Sequence, residues 1–224
     1  RALVDTNDAD AEVTSLFEQS LSDLVAQGAE LVDPFESQNL SEHLNGEYFC
    51  ARFRFDMYQY LRSLGSDAPF VDVMQVRESG QYSPYIEEDL DFFGGNPLDV
   101  HPKDLDPPCP VFAEHDGRQA FLKDTVDSME AAGVDAIVYP SWTNPPAHLD
   151  KASEDYKGDN SQLVAPATGL PAVSVPMGYS YGNLPAGLQI LGRPYSEGLL
   201  IGLAYDYEQA TLHRRPPHRF PELD

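Results

Sequence analysis

Thr168-Gly169-Leu170-Pro171-Ala172-Val173-Ser174-Val175-Pro176-Met177-Gly178, followed by Leu184-Pro185-Ala186-Gly187-Leu188-Gln189-Ile190-Leu191-Gly192, is the stretch that decides the fold. Short β-branched and aliphatic runs bounded by Gly and Pro predict strands at Ala172–Pro176 and Leu188–Leu191 around a Gly-rich connection, Met177–Gly187. Along the first strand Val173 and Val175 point one way and Ser174 the other, giving one packed face and one lining face. Gly169 and Gly178 suit turn conformations that a side chain would obstruct. Pro171 and Pro176 suit strand ends, where a missing N–H costs no ladder bond.

Upstream, the same grammar of helix, glycine, strand occurs twice. Val13, Leu16, Phe17, Leu21, Leu24 and Val25 recur at helical spacing between Asp10 and Gln27, and Gly28 supplies the stop. Ala29–Val32 then reads as a short buried strand closed by Asp33-Pro34. Phe121, Leu122, Val126 and Met129 form a second apolar stripe ending at Gly133, and Val134–Tyr139 reads as a strand. Tyr48–Leu64 reads as a helix rich in Phe and Tyr. Downstream, Ser196 is placed to cap a helix whose buried face is Leu199, Leu200, Leu203, Ala204 and Tyr207. The tail from His213 onward, rich in Arg, His and Pro, reads as irregular, and there is no internal repeat. Helices interleaved with strands predict an α/β protein, a sheet covered by helices. Residues 66–110 differ: Pro, Gly and acidic residues dominate, as in lids and surface excursions.

Composition narrows the function classes. The 224 residues carry 37 acidic against 14 basic side chains, a formal net charge of −23. Such a surface repels phosphate backbones and anionic lipid, so nucleic-acid and membrane partners are not expected, and a hydrated acidic surface is. Cys50 and Cys109 are too few for a disulfide framework and too isolated for a zinc site, making a reducing cytosol the default compartment. No apolar run reaches the roughly 18 residues of a membrane span. Arg1-Ala2-Leu3-Val4 runs straight into acidic, polar sequence, unlike a signal peptide. The chain begins without Met, which suggests a piece of something longer. No metal or cofactor is expected; Glu87-Glu88-Asp89-Leu90-Asp91 lacks calcium-ligand spacing and its central Gly, and reads as a solvated acidic stretch.

The segments Thr168–Gly178 and Leu184–Gly192 closely resemble the C-terminal core of the amidase-signature family. Gly133-Val134-Asp135-Ala136-Ile137-Val138-Tyr139-Pro140 is similar to that family's strand before the substrate pocket. Glu208 and the step Gly28-Ala29-Glu30-Leu31-Val32-Asp33 match in order as well. The resemblance spans nearly the whole chain and is strongest over 133–210. It implies a C-terminal portion of an amidase domain over residues 1–224, with a mixed sheet flanked by helices that is incomplete in this chain. An uncovered apolar edge is expected near residues 1 to 5.

The resemblance also implies hydrolysis of a carboxamide C–N bond by a Ser–Ser–Lys triad beside a backbone oxyanion hole, on a small-molecule amide substrate and without a cofactor. In the family those groups lie in a glycine- and serine-rich stretch and a preceding lysine segment of the N-terminal half. This sequence holds neither, and its four lysines, Lys103, Lys123, Lys151 and Lys157, stand in polar or acidic surroundings that keep them charged. The catalytic residues are therefore expected in an N-terminal part of the same enzyme, with this chain supplying scaffold and pocket wall. In amidotransferase members an acidic residue ten positions before the matching glycine recognises the substrate's polar head. Asp159 stands at that offset from Gly169, with Asn160 and Ser161 beside it. A carboxylate there accepts from an amino or amide N–H. Pro166 departs from the pattern, since many members carry Asn at that position. Trp142, Thr143 and Asn144, just beyond the Tyr139-Pro140 strand end, are further pocket candidates, because α/β sheets bind ligands past strand ends. Two other readings remain: a non-catalytic binding or structural subunit, and a hydrolase built on Ser141 with Lys151 or Ser161 near His148.

Overall fold

The computed structural model describes residues 9–46, 48, 50, 52–157 and 163–216. Residues 1 to 5, where an uncovered apolar edge is expected, lie outside these. In chain order the helices are α1 (Ala11–Ala26), α2 (Leu40–Leu44), α3 (Phe53–Ser63), α4 (Met74–Ser79), α5 (Glu87–Gly94), α6 (Asp116–Ala132), α7 (Ala152–Asp155), α8 (Ala165–Thr168) and α9 (Glu197–Thr211). The strands are β1 (Ala136–Pro140), β2 (Ala172–Ser180) and β3 (Leu184–Gly192). They form one antiparallel sheet in the order β1-β3-β2. The α/β class is as expected and the sheet is open, but among the described residues both pairings are antiparallel, so the expected mixed sheet is corrected to an antiparallel one.

The chain divides into two compact units, Arg1–Gly46 with Ala120–Asp224, and Glu47–Gln119. The first holds the sheet. α1 starts where the sequence places it: Asp10 Oδ1 accepts from the Glu12 and Val13 N–H groups at 2.9 and 3.2 Å, satisfying donors a helix start leaves orphaned. Val13, Phe17 and Leu21 of α1 meet Leu200, Ala204 and Tyr207 of α9 over Val175, Met177, Leu188 and Ile190 of the sheet. Inside this core the Tyr207 hydroxyl donates to Ser20 Oγ at 2.9 Å, and Ser20 donates onward to the Leu16 carbonyl, so both buried hydroxyls are paired.

Four expectations are corrected here. Ala29–Val32 is no strand; Leu31 and Val32 are exposed and no strand among the described residues pairs with them, so local β-propensity goes unused. The connection Met177–Gly187 is shorter than expected, because β2 runs on to Ser180 and β3 begins at Leu184. Pro176 therefore lies inside a strand, tolerated because the register shifts between Pro176 and Gly178 and a bulge needs no N–H there. The same bulge brings Gly178 to a φ of +135°, with the Leu16 side chain 2.7 Å from where its Cβ would stand. In α9 Leu199 is exposed rather than buried; Ser196 stands at the N-cap position as expected and its carbonyl accepts from the Leu200 N–H, while its Oγ donates to the Arg193 carbonyl.

The second unit contains no strand among its described residues. Its short helices carry a small core, with Leu61, Val73, Leu90 and Cys109 buried. Arg54 substitutes polar ties for apolar ones. Its guanidinium bonds both Asp72 oxygens at 3.1 and 2.7 Å and the carbonyls of Gly94 and Asn96 at 2.6 and 2.9 Å. The Arg54 fork holds the Asp72 carboxyl below the usual carboxylate range. Cys50 and Cys109 are joined in a disulfide with Cα atoms 5.7 Å apart, although two cysteines alone gave no sign of it. Spacing along the chain says nothing about a segment that doubles back on itself. Among the described residues no helix is long and apolar enough to cross a membrane.

Candidate functional site

Past the end of β1 the chain leaves the sheet as Ser141-Trp142-Thr143-Asn144-Pro145-Pro146. A cavity of about 650 Å³ opens there, lined by Trp142, Asn144, Pro145, Pro146, Tyr156 and Ser180, with Val13, Ala186 and Gly187 behind them. Trp142 and Tyr156 meet edge to face, ring centroids 5.8 Å apart, and make one apolar wall. Pro145 and Pro146 add conformationally stiff lining. Thr143 is not part of the lining. It is buried, its hydroxyl accepts from Asn144 Nδ2 at 3.2 Å, and its carbonyl accepts from the Asp10 N–H at 2.9 Å. Alternation explains this: with Trp142 and Asn144 turned to the cavity, Thr143 turns away.

Asp10 thus ties the cavity loop to α1, and it reaches a third element as well. Its Oδ2 accepts from the Tyr181 hydroxyl at 2.6 Å, at the turn joining β2 to β3, where Glu12 also accepts from the Tyr181 N–H. The Tyr181 hydroxyl holds the Asp10 carboxyl below its ordinary range, helped by the two N–H groups of the cap.

The sheet's other face is polar beside the cavity. Ser174 pairs across the ladder with Gln189, and Gln189 with Tyr139, so all three side chains share one face. Ser141 continues that row past β1; its N–H donates to the Gly187 carbonyl at 2.7 Å. Above β3 the Ser141 and Ser174 hydroxyls meet, Oγ to Oγ 3.3 Å. The meeting depends on Gly187: a Cβ there would lie 2.8 Å from Ser141 Oγ. Gln189 is 6% exposed, and its Oε1 is buried without a hydrogen-bond partner.

Asp159 and Asn160, with Ser161, lie outside the described residues. Ser141 partners Ser174 and not Lys151, and His148 Nδ1 bonds Asp155 Oδ2 at 2.7 Å. Lys123 pairs with Asp127, which raises its pKa and keeps it protonated, in line with its acidic surroundings. Gly187, Gln189 and Tyr156 were missed as site residues from sequence. The signal available for Gln189 was its period-two place in a strand otherwise apolar on both sides.

Comparison with known proteins follows the same segments. A profile of the family described as Amidase matches residues 4–201. A glutamyl-tRNA(Gln) amidotransferase chain of Dinoroseobacter shibae is 36% identical over 107 residues, 46% of this chain and 22% of that protein. The peptide amidase of Stenotrophomonas maltophilia superposes with a TM-score of 0.63 at 28% identity, covering 92% of this chain and 41% of that one. An amidase family protein of Bacillus anthracis gives a TM-score of 0.68 over 96% of this chain and 39% of that one; its 19% identity makes this a likeness of fold. The chain spans about a fifth of the length of the curated relatives it matches.

Proposed function

We propose, since this chain belongs to the amidase family, that it is the scaffold and pocket wall of a hydrolase cleaving the C–N bond of a carboxamide. The nucleophilic serine, its relay serine and the lysine base come from a catalytic segment outside these 224 residues, equivalent to the N-terminal half of the longer relatives. In that arrangement this chain positions the amide: Trp142, Tyr156, Pro145 and Pro146 hold its apolar part, and the polar sheet face beside Gly187 holds the amide end. Asp159 and Asn160 are proposed to meet the substrate's polar head, and residues 66–110 to be the variable excursion of the family domain.

The observation that carries the reading is the uncovered apolar surface of the sheet-bearing unit. Leu199, Ile201 and Tyr205 of α9 face outward at 46, 65 and 61% exposure, and among the described residues β1 and β2 each leave one edge without a neighbouring strand. Apolar helix faces and free strand edges are what a complementary half of the same fold covers.

Complementation tests this. The chain is co-expressed with a segment carrying the glycine- and serine-rich stretch and preceding lysine of a family member, and ammonia release from a peptide amide is measured. Stable association and ammonia release only from the pair support the proposal. Equal release by the chain alone, or a pair that neither associates nor reacts, overturns it.

A further inference from the structure

We infer that Ser141, Ser174 and Gln189 form a hydrogen-bonding subsite for a primary carboxamide that discriminates it from the corresponding carboxylate. The inference deepens the proposed amide hydrolysis and rests on it. Three observations converge on one face of the sheet. The Ser141 and Ser174 hydroxyls meet across β3 at 3.3 Å in an exposed position. Gln189, in register beside Ser174, is buried and leaves Oε1 without a partner. Gly187, which also borders the apolar cavity, removes the Cβ that would otherwise push Ser141 Oγ away.

Buried polar atoms are satisfied in nearly all native structures, so an orphaned carbonyl oxygen in a central strand calls for a donor. The donor that fits is set by the inventory of the three side chains. Each serine hydroxyl gives one hydrogen and accepts others, and the Gln189 amide offers an acceptor oxygen beside two N–H donors. A primary carboxamide presents the complementary set, an acceptor oxygen beside two N–H donors, and answers both ends of Gln189 at once. A carboxylate has acceptors only; it leaves Oε1 unmet and sets oxygen against oxygen. Hydrolysis therefore converts a group the subsite holds into one it disfavours, which speeds release of the acid.

The neighbouring cavity says which amides to try. Its Trp142–Tyr156 wall and prolines suit an apolar side chain on the molecule that carries the carboxamide. The test uses the full 224-residue chain titrated with N-acetyl-phenylalaninamide and, separately, N-acetyl-phenylalanine, following the side-chain NH₂ signal of Gln189 by nuclear magnetic resonance. The expected result is saturable movement of that signal with the amide and affinity about tenfold or more above that for the acid. Gln189→Leu and Ser174→Ala each bring the two affinities together; Ser174 lies at the exposed hydroxyl pair, so its variant keeps the answer if Gln189→Leu does not fold. A Gln189 signal that stays still with both ligands means that a water alone satisfies Oε1, and the inference fails. It fails equally if the amide binds and neither variant alters the preference. Ammonia release by the complemented pair judges the hydrolase reading separately, so either can fall while the other stands.

Discussion

Removing the Cys50–Cys109 disulfide is expected to destabilise the unit Glu47–Gln119 strongly while the sheet-bearing unit keeps its stability. The bridge closes a loop between residues 59 apart. The chain-entropy relation for a loop of that length gives about 4 kcal/mol of stabilisation at 25 °C. Against this stands a unit whose buried apolar side chains are few, Leu61, Val73 and Leu90 beside Cys109 itself. Cores in domains of such size rarely supply more than about 3–5 kcal/mol, so the bridge is comparable to all the rest. The perturbation is Cys50→Ala with Cys109→Ala, which avoids placing a serine hydroxyl in the buried position of Cys109. Hydrogen exchange read peptide by peptide is the assay, because it reports each unit separately. Amides of Phe53–Ser63 and Glu87–Gly94 should lose protection by about two to three orders of magnitude, equivalent to about 3–4 kcal/mol. Those of Ala172–Gly192 should keep theirs. Protection in the two helices that falls by less than tenfold, or falls as much in β2 and β3, would refute the reasoning.

Asp10→Ala should cost about 1–2 kcal/mol in thermal or urea unfolding, since one carboxylate caps α1 and accepts from Tyr181. Because the folded-state pKa of Asp10 lies below the ordinary 3.8, its contribution is present above that pH and is lost as pH falls through the folded value. Asp10→Asn should flatten the stability profile in that acidic window; an unchanged slope argues against the linkage. Gly178→Ala should destabilise by roughly 2–4 kcal/mol, combining strain at φ +135° with crowding of Leu16. A neutral change in the urea midpoint contradicts it. Arg54→Lys should cost roughly 2 kcal/mol in the exchange protection of the strandless unit, because an ammonium cannot reproduce the fork on Asp72 while holding two carbonyls. Full protection in that variant would show the carbonyl contacts to be idle.

What could be read without coordinates was whatever rests on local chemistry. Asp10 begins α1 and Gly28 follows its end because a cap and a left-handed residue are decided within a few positions. β1 was legible from its β-branched run. Features that depend on what lies across the fold were not. Ala29–Val32 has strand composition and no partner strand among the described residues; Leu199 has the right spacing for the core and faces outward; the cysteines meet only because the segment between them folds back. At the candidate site, Trp142 and Asn144 could be named because they follow a strand end, while Thr143 between them turns to the Asp10 side. Gln189 was hidden by its motif. A glutamine in a glycine-punctuated strand reads as scaffold until its unmet oxygen and the serines beside it are seen together.

The central claim is that this chain shapes the pocket and leaves the nucleophile to a complementary catalytic segment. Intact-mass spectrometry after exposure to a serine-directed fluorophosphonate tests it most directly, with the chain alone and then paired with that segment. The account predicts an unmodified mass for the 224-residue chain in both samples and a single adduct on the added segment. A stoichiometric adduct on Ser141, Ser161 or Ser174 of this chain would contradict it.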